Sequence, residues 1–128
     1  LACIQNDLFD LGADLATPLA NGQEEMALRI TSAQVDRLEA GIDTMNADLE
    51  PLNSFVLPGG HTAAAYIHLA RAQCRRAERD MTLLASQEAV NEAAMQFMNR
   101  LSDHLFVMAR LINKGRGGDV LWKPGLNR

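Results

Sequence analysis

The sequence predicts an all-α fold, an antiparallel helix bundle with four helices visible. Three observations carry that expectation. The 128 residues are 48% hydrophobic but only 5% aromatic, a balance rich in Ala, Leu and Met that suits helices packed on helices better than a β-sandwich. Apolar residues recur at steps of three and four along four separate segments. Pro and Gly punctuate the joints between those segments. A chain of this length makes one domain, 1–128, with the bundle over 1–114 and a C-terminal tail over 115–128.

The first helix is expected from Ala2 to about Ala16, with Ile4, Leu8, Leu11 and Leu15 on its inner face. Pro18 ends it, and "PLANGQEEMALR" has the composition of a loop. Thr31 with Gln34 three residues later makes a capping box for the second helix, whose core face is Val35, Leu38, Ile42 and Met45. Pro51 and "LPGG" at Leu57–Gly60 then bracket an extended connector carrying Phe55.

Thr62 is the expected N-cap of the third helix, which runs to about Ser86 and buries Ile67, Ala70, Cys74, Ala77, Met81 and Leu84. The fourth is expected from about Glu88 to Asn113, with Val90, Ala94, Phe97, Leu101, Leu105, Met108 and Ile112 inward and Gly115 as its stop. The remainder, "GRGGDVLWKPGLNR", has one Trp and no helical period; folding over a site and hanging free are both open to it. The chain begins at Leu1 already in helical register, which leads us to expect a further segment upstream.

Charge and composition narrow the function. No apolar run approaches the roughly 20 residues that span a bilayer, and no signal peptide is visible, so a soluble intracellular protein without a membrane partner is expected. Cys3 and Cys74 lack metal-ligand spacing and suit inert thiols in a reducing compartment. A net charge of −4 argues against a nucleic-acid partner. Against that acidic background, "RAQCRRAERD" places Arg71, Arg75, Arg76 and Arg79 within nine residues, four of the chain's 12 basic residues.

His68, Arg71, Arg75 and Glu78 follow steps of three, four and three and share one helical face, flanked by Arg76 and Arg79. A charge run is ordinarily a solvated face, but such faces mix signs, and like charges one turn apart repel by a few tenths of a kcal/mol. A phosphate chain would relieve that repulsion, because arginine forks bind phosphate oxygens at roughly 1.5–3 kcal/mol each. Glu78 suits orienting a guanidinium or positioning a ligand hydroxyl or metal.

On the fourth helix, "NRLSDHLF" places Asn99, Ser102 and Asp103 amid apolar neighbours. Either Asn99 makes a helix–helix hydrogen bond, or it faces the arginines' ligand. "SFVLPGGHT" lacks the Lys and spacing of a P-loop, so a turn and a helix cap suffice to explain it. Phe55 suits either the core or a pocket wall. His61 and His68 have no carboxylate or cysteine to complete a metal site, and no nucleophile–base arrangement is visible.

Taken together, "IQNDLFDLGADLATP", "FVLPGG", "ARAQCRRAERD" and "MNRLSDHLFVMAR" closely resemble the PduO-type ATP:cob(I)alamin adenosyltransferases, in order and over nearly the whole chain. The resemblance implies a five-helix bundle assembled as a homotrimer with active sites between subunits. It implies transfer of the 5′-deoxyadenosyl group of ATP to cob(I)alamin, giving adenosylcobalamin and triphosphate, with Mg²⁺ assisting. By the same resemblance Arg75, Arg76, Glu78, Arg79 and Asn99 bind ATP. Arg71 makes a salt bridge across the subunit interface, and Phe55 packs beneath the corrin ring.

A corrinoid reductase and a cobalamin-dependent acceptor enzyme are implied as partners, in the cytoplasm or, in a eukaryote, the mitochondrial matrix. The family's Gly- and Thr-rich ATP loop, its early helix and the acidic partner of Arg71 do not occur in these 128 residues. A non-catalytic corrinoid- or nucleotide-binding relative on the same bundle is therefore the alternative. A helical scaffold whose arginines bind an acidic protein is a third reading.

Overall fold

The computed structural model describes residues 1–19 and 26–128. Four helices form, α1 (Ala2–Ala16), α2 (Ser32–Asn46), α3 (Thr62–Ala85) and α4 (Glu92–Asn113). The described residues form no strand, and their only pairing of that kind is an isolated antiparallel bridge between Val56 and Leu121. The all-α expectation holds. The middle of the predicted loop, residues 20–25, lies outside the described residues.

The organising element is α4. Its apolar stripe of Ala94, Phe97, Met98, Leu101 and Leu105 is buried against α3 and α2, and α1 packs less extensively on the same helix. Leu11, Val35, Leu38 and Met81 close the core from the other three helices. No helix among the described residues is long and apolar enough to cross a membrane.

Four expectations about the helices are corrected. On α1, Leu8 is exposed beside Phe9, whereas Asp7 and Asp14 are buried. Apolar spacing misplaces this face because both carboxylates find partners inside. Asp7 accepts hydrogen bonds from Arg37 and from Gln34 Nε2. Asp14 accepts from Arg29 Nη1 at 2.8 Å, from the Ile30 backbone N–H at 2.8 Å and from Asn91 Nδ2 at 2.7 Å. A buried carboxylate is tolerable only when its lone pairs are filled in this way.

The start of α4 is Glu92, not Glu88, because Asn91 caps it: Asn91 Oδ1 accepts from the Ala93 N–H at 3.1 Å. The same amide donates to Asp14 and to Ile30 O, so the cap also ties α4 to α1 and to the approach to α2. On α3 the N-cap is His61, not Thr62, with Nδ1 accepting from the Ala63 N–H. Ala70 of the expected stripe is exposed, and His68 and Arg71 turn inward in its place. The capping box of α2 forms as expected, Thr31 N–H donating to Gln34 Oε1 at 3.0 Å. Gly115, at φ +76°, follows the end of α4 in the left-handed conformation that a side chain disfavours.

Candidate functional site

Along the middle of α3, Arg75, Arg76 and Arg79 are exposed. Among the described residues none of them, nor Arg71, forms an ion pair; the four ion pairs present use Arg29, Arg37, Arg100 and Arg110. Arg75 and Arg79 lie one turn apart, and Arg76 lies about 100° round the helix from Arg75. The helix thus presents uncompensated positive charge over two adjoining strips.

Arg71 is different. Its guanidinium lies over the Phe106 ring, 4.9 Å from the centroid, and its Nε is buried without a hydrogen-bond partner. Burial, then the charge of Arg75, lowers its pKa, while Asp103 opposes that shift. His68 packs edge-on to the same Phe106 ring, and its Nε2 is likewise buried and unpartnered.

Glu78 forms no ion pair with the arginines among the described residues and accepts a hydrogen bond from Asn99 Nδ2 at 2.7 Å, across the α3–α4 seam. Asn99 Oδ1 in turn accepts from Arg100 Nη2 at 2.7 Å, and Arg100 pairs with Asp103. The sequence left Asn99 between a helix–helix hydrogen bond and the arginines' ligand. The hydrogen bond is present, and it joins Asn99 to a residue of the arginine segment.

Beside this pair lies an open recess of about 580 Å³ between α2, α3 and α4. Asp36, Glu39, Glu78 and Glu92 line it, whereas Arg75, Arg76 and Arg79 do not. Four carboxylates disfavour a polyanion in this recess.

The second cluster is at the end of the bundle where α3 begins and α4 finishes. Phe55 is 75% exposed on the connector, an unusual position for a large aromatic side chain. It is held there by the tail. Leu57 N–H donates to Val120 O at 2.7 Å, Trp122 N–H donates to Phe55 O at 2.8 Å, and Ser54 Oγ donates to Trp122 O at 2.8 Å. The Phe55 and Trp122 rings lie tilted at 58° with centroids 5.7 Å apart. With Asn53, Ser54 and Pro124 they line an open recess of about 570 Å³.

The tail therefore folds onto the connector, the first of the two possibilities the sequence left open. Sequence reasoning misses Trp122, although a lone Trp in a Gly-rich segment signals a side chain with something to pack on. Phe55 shares no ring contact or recess with Arg71, Arg75, Arg76 or Arg79 among the described residues. From Thr62 to Arg75 the helical rise alone amounts to about 20 Å.

Comparisons with known proteins identify the family. A family model described as cobalamin adenosyltransferase matches residues 1–112. The chain is 48% identical over 127 residues to a corrinoid adenosyltransferase of Mycobacterium tuberculosis, covering 98% of this chain and 65% of that protein. It is 42% identical over 110 residues to the corrinoid adenosyltransferase PduO of Salmonella typhimurium, covering 86% of this chain and 32% of that one. It thus spans about two thirds or less of the curated relatives' length. Among solved structures, a variant PduO-type ATP:corrinoid adenosyltransferase from Lactobacillus reuteri complexed with cobalamin and ATP superposes with a TM-score of 0.85 at 36% identity, over 94% of this chain and 66% of that one.

Proposed function

The chain belongs to the cobalamin adenosyltransferase family, and from that membership we propose that the protein containing it transfers the 5′-deoxyadenosyl group of ATP to cob(I)alamin. The observation that carries this reading is the strip of arginines on α3 with no carboxylate partner among the described residues, beside the joined pair Glu78–Asn99. Arg75, Arg76 and Arg79 would hold the triphosphate, with Glu78 and Asn99 completing the nucleotide contacts.

The reaction is a displacement at carbon. The electron pair of cobalt(I) forms the Co–C5′ bond, the C5′–O bond breaks, and its electrons leave on the triphosphate. No proton moves, which fits a site without a general base. What the protein contributes is alignment, with reacting atoms near 3–3.5 Å, and positive charge for the leaving group. Arginines serve the second need because they stay charged at any working pH.

Mg²⁺ would reach the site with ATP. Mg²⁺ usually keeps several waters and is held through phosphate oxygens and one or two carboxylates. Glu78, whose Oε1 takes no hydrogen bond among the described residues, is the side chain that fits it. The bound ion would offset part of the triphosphate charge.

Phe55 would lie beneath the corrin ring, an apolar wedge that keeps a lower ligand off cobalt and makes Co(II) easier to reduce. Because Phe55 and the arginines stand at different levels of one bundle, a complete site assembled between neighbouring subunits of a homotrimer accounts for both. Arg71, half-buried with an unpartnered Nε, suits an acidic group from outside the described residues. The exposed Phe9, Tyr66 and Leu69 offer apolar surface for subunit contact. Bundle and tail would then work as one unit over 1–128, in the cytoplasm of a bacterium, with a corrinoid reductase supplying cob(I)alamin and a cobalamin-dependent enzyme receiving the product.

Thermal unfolding tests the nucleotide half of the reading, since a ligand that binds only the folded state raises its stability. MgATP is expected to raise the midpoint well above an equal concentration of a non-nucleotide polyanion. Equal shifts would point instead to a nonspecific basic face.

A further inference from the structure

We propose that the last turn of α4 is the mount for Phe55, with Arg110 and Asn113 as positioning residues for the corrinoid face. This rests on the reading of Phe55 as the residue beneath the corrin ring. An exposed aromatic can hold a ring in one place only if its backbone is fixed, and residues 51–60 form no helix or sheet that would fix it.

Both ends of the connector are tied to side chains one turn apart on α4. At its start, Arg110 Nη2 donates to Glu50 O at 2.8 Å. At its end, Asn113 Nδ2 donates to Gly59 O at 3.0 Å, and Asn113 Oδ1 accepts from the His61 N–H at 2.8 Å. Asn113 is fully buried, so both halves of its amide are committed to this loop. Gly60 makes the approach possible: at φ +94° it has no side chain, and a Cβ there would collide with the Asn113 amide.

Arg110 has a second task. Its Nε donates to Asp119 Oδ2 at 2.9 Å, and both side chains are largely buried. That ion pair anchors the base of the tail, which two and three residues later pairs with Val56 and packs Trp122 on Phe55. One arginine therefore sets the connector and the tail in register together. Two buried polar side chains with every contact directed at one exposed aromatic's support are more than a helix end requires, since α4 is already terminated by Gly115.

The test uses Asn113→Ala and Asp119→Ala in the full chain. Asn113 is a core residue and Asp119 pairs with the buried Arg110, so thermal unfolding accompanies the kinetics of both variants. Trp122 is the chain's one tryptophan, so its emission reports the register without any corrinoid. Both variants are expected to show red-shifted Trp122 emission and a kcat/KM for cob(I)alamin at least tenfold lower, with KM for ATP within twofold of the parent. A merely destabilised protein would lose both substrates alike, and that result overturns the proposal. So do folded variants with unshifted emission or with corrinoid kcat/KM within twofold of an active parent. A parent with no corrinoid turnover overturns the underlying reading of Phe55, and the proposal with it.

Discussion

Glu78 of α3 and Asn99 of α4 are joined by a 2.7 Å hydrogen bond, which holds two residues twenty-one positions apart in register. The pair is exposed, and an exposed hydrogen bond of this kind contributes about 1 kcal/mol or less. Asn99→Ala is therefore expected to lower stability by no more than about 1 kcal/mol while reducing kcat/KM for ATP at least tenfold. Denaturant unfolding alongside steady-state kinetics checks it. A loss of stability and activity in step would make the pair a structural tie only.

Arg75 has no ion pair to lose among the described residues, and its like-charged neighbours Arg71 and Arg79 lie one turn to either side. Arg75→Ala should leave the unfolding midpoint unchanged or slightly raised, because it relieves repulsion of a few tenths of a kcal/mol. ATP binding should weaken by roughly tenfold to a hundredfold, the worth of one charged hydrogen-bonding fork. Calorimetric titration of parent and variant with MgATP measures the difference.

His68 predicts a pH dependence. Burial first, and the charge of Arg71 second, hold its pKa below the ordinary 6.5, and Asp119 only partly offsets them. The unfolded chain therefore takes up this proton more readily than the folded one. The contribution is intact above pH 6.5 and drains away as pH falls below it. His68→Gln should flatten the loss of stability between about pH 6.5 and 5, seen in urea midpoints across that range. An unchanged slope would mean that other groups set the acid limb.

Asp14 holds three elements together, accepting from Arg29, the Ile30 N–H and Asn91. Asp14→Ala would strand a mostly buried guanidinium and two further donors, a change that costs about 3–5 kcal/mol. The expected result is a large drop in the unfolding midpoint, larger than for any of the arginine variants of α3. A shift under about 1 kcal/mol would mean that water replaces the carboxylate freely.

What was legible in the sequence was local. The helices of α2 and α4 follow their apolar periodicity because Val35, Leu38, Phe97, Leu101 and Leu105 bury by the hydrophobic effect alone. Apolar spacing misplaces the inner face of α1 because Asp7 and Asp14 are buried by partners 15 to 77 residues away, which no periodicity records. Asn91 caps α4 for the same reason, since its other hydrogen bonds anchor it to Asp14 and Ile30. The arginine strip and Asn99 could be named from charge pattern and resemblance, yet the Glu78–Asn99 bond needed the α3–α4 packing. The docking of Trp122 on Phe55 depends on a bridge 65 residues long in sequence, formed in a segment with no helical period.

The central claim is tested most directly by mixing the purified protein with chemically reduced cob(I)alamin and MgATP and following the absorbance change as the cobalt–carbon bond forms. Protein-dependent formation of adenosylcobalamin is expected, with triphosphate released in equal amount and the rate reduced at least tenfold by Arg75→Ala. No protein-dependent change, or a rate indifferent to Arg75, would contradict it.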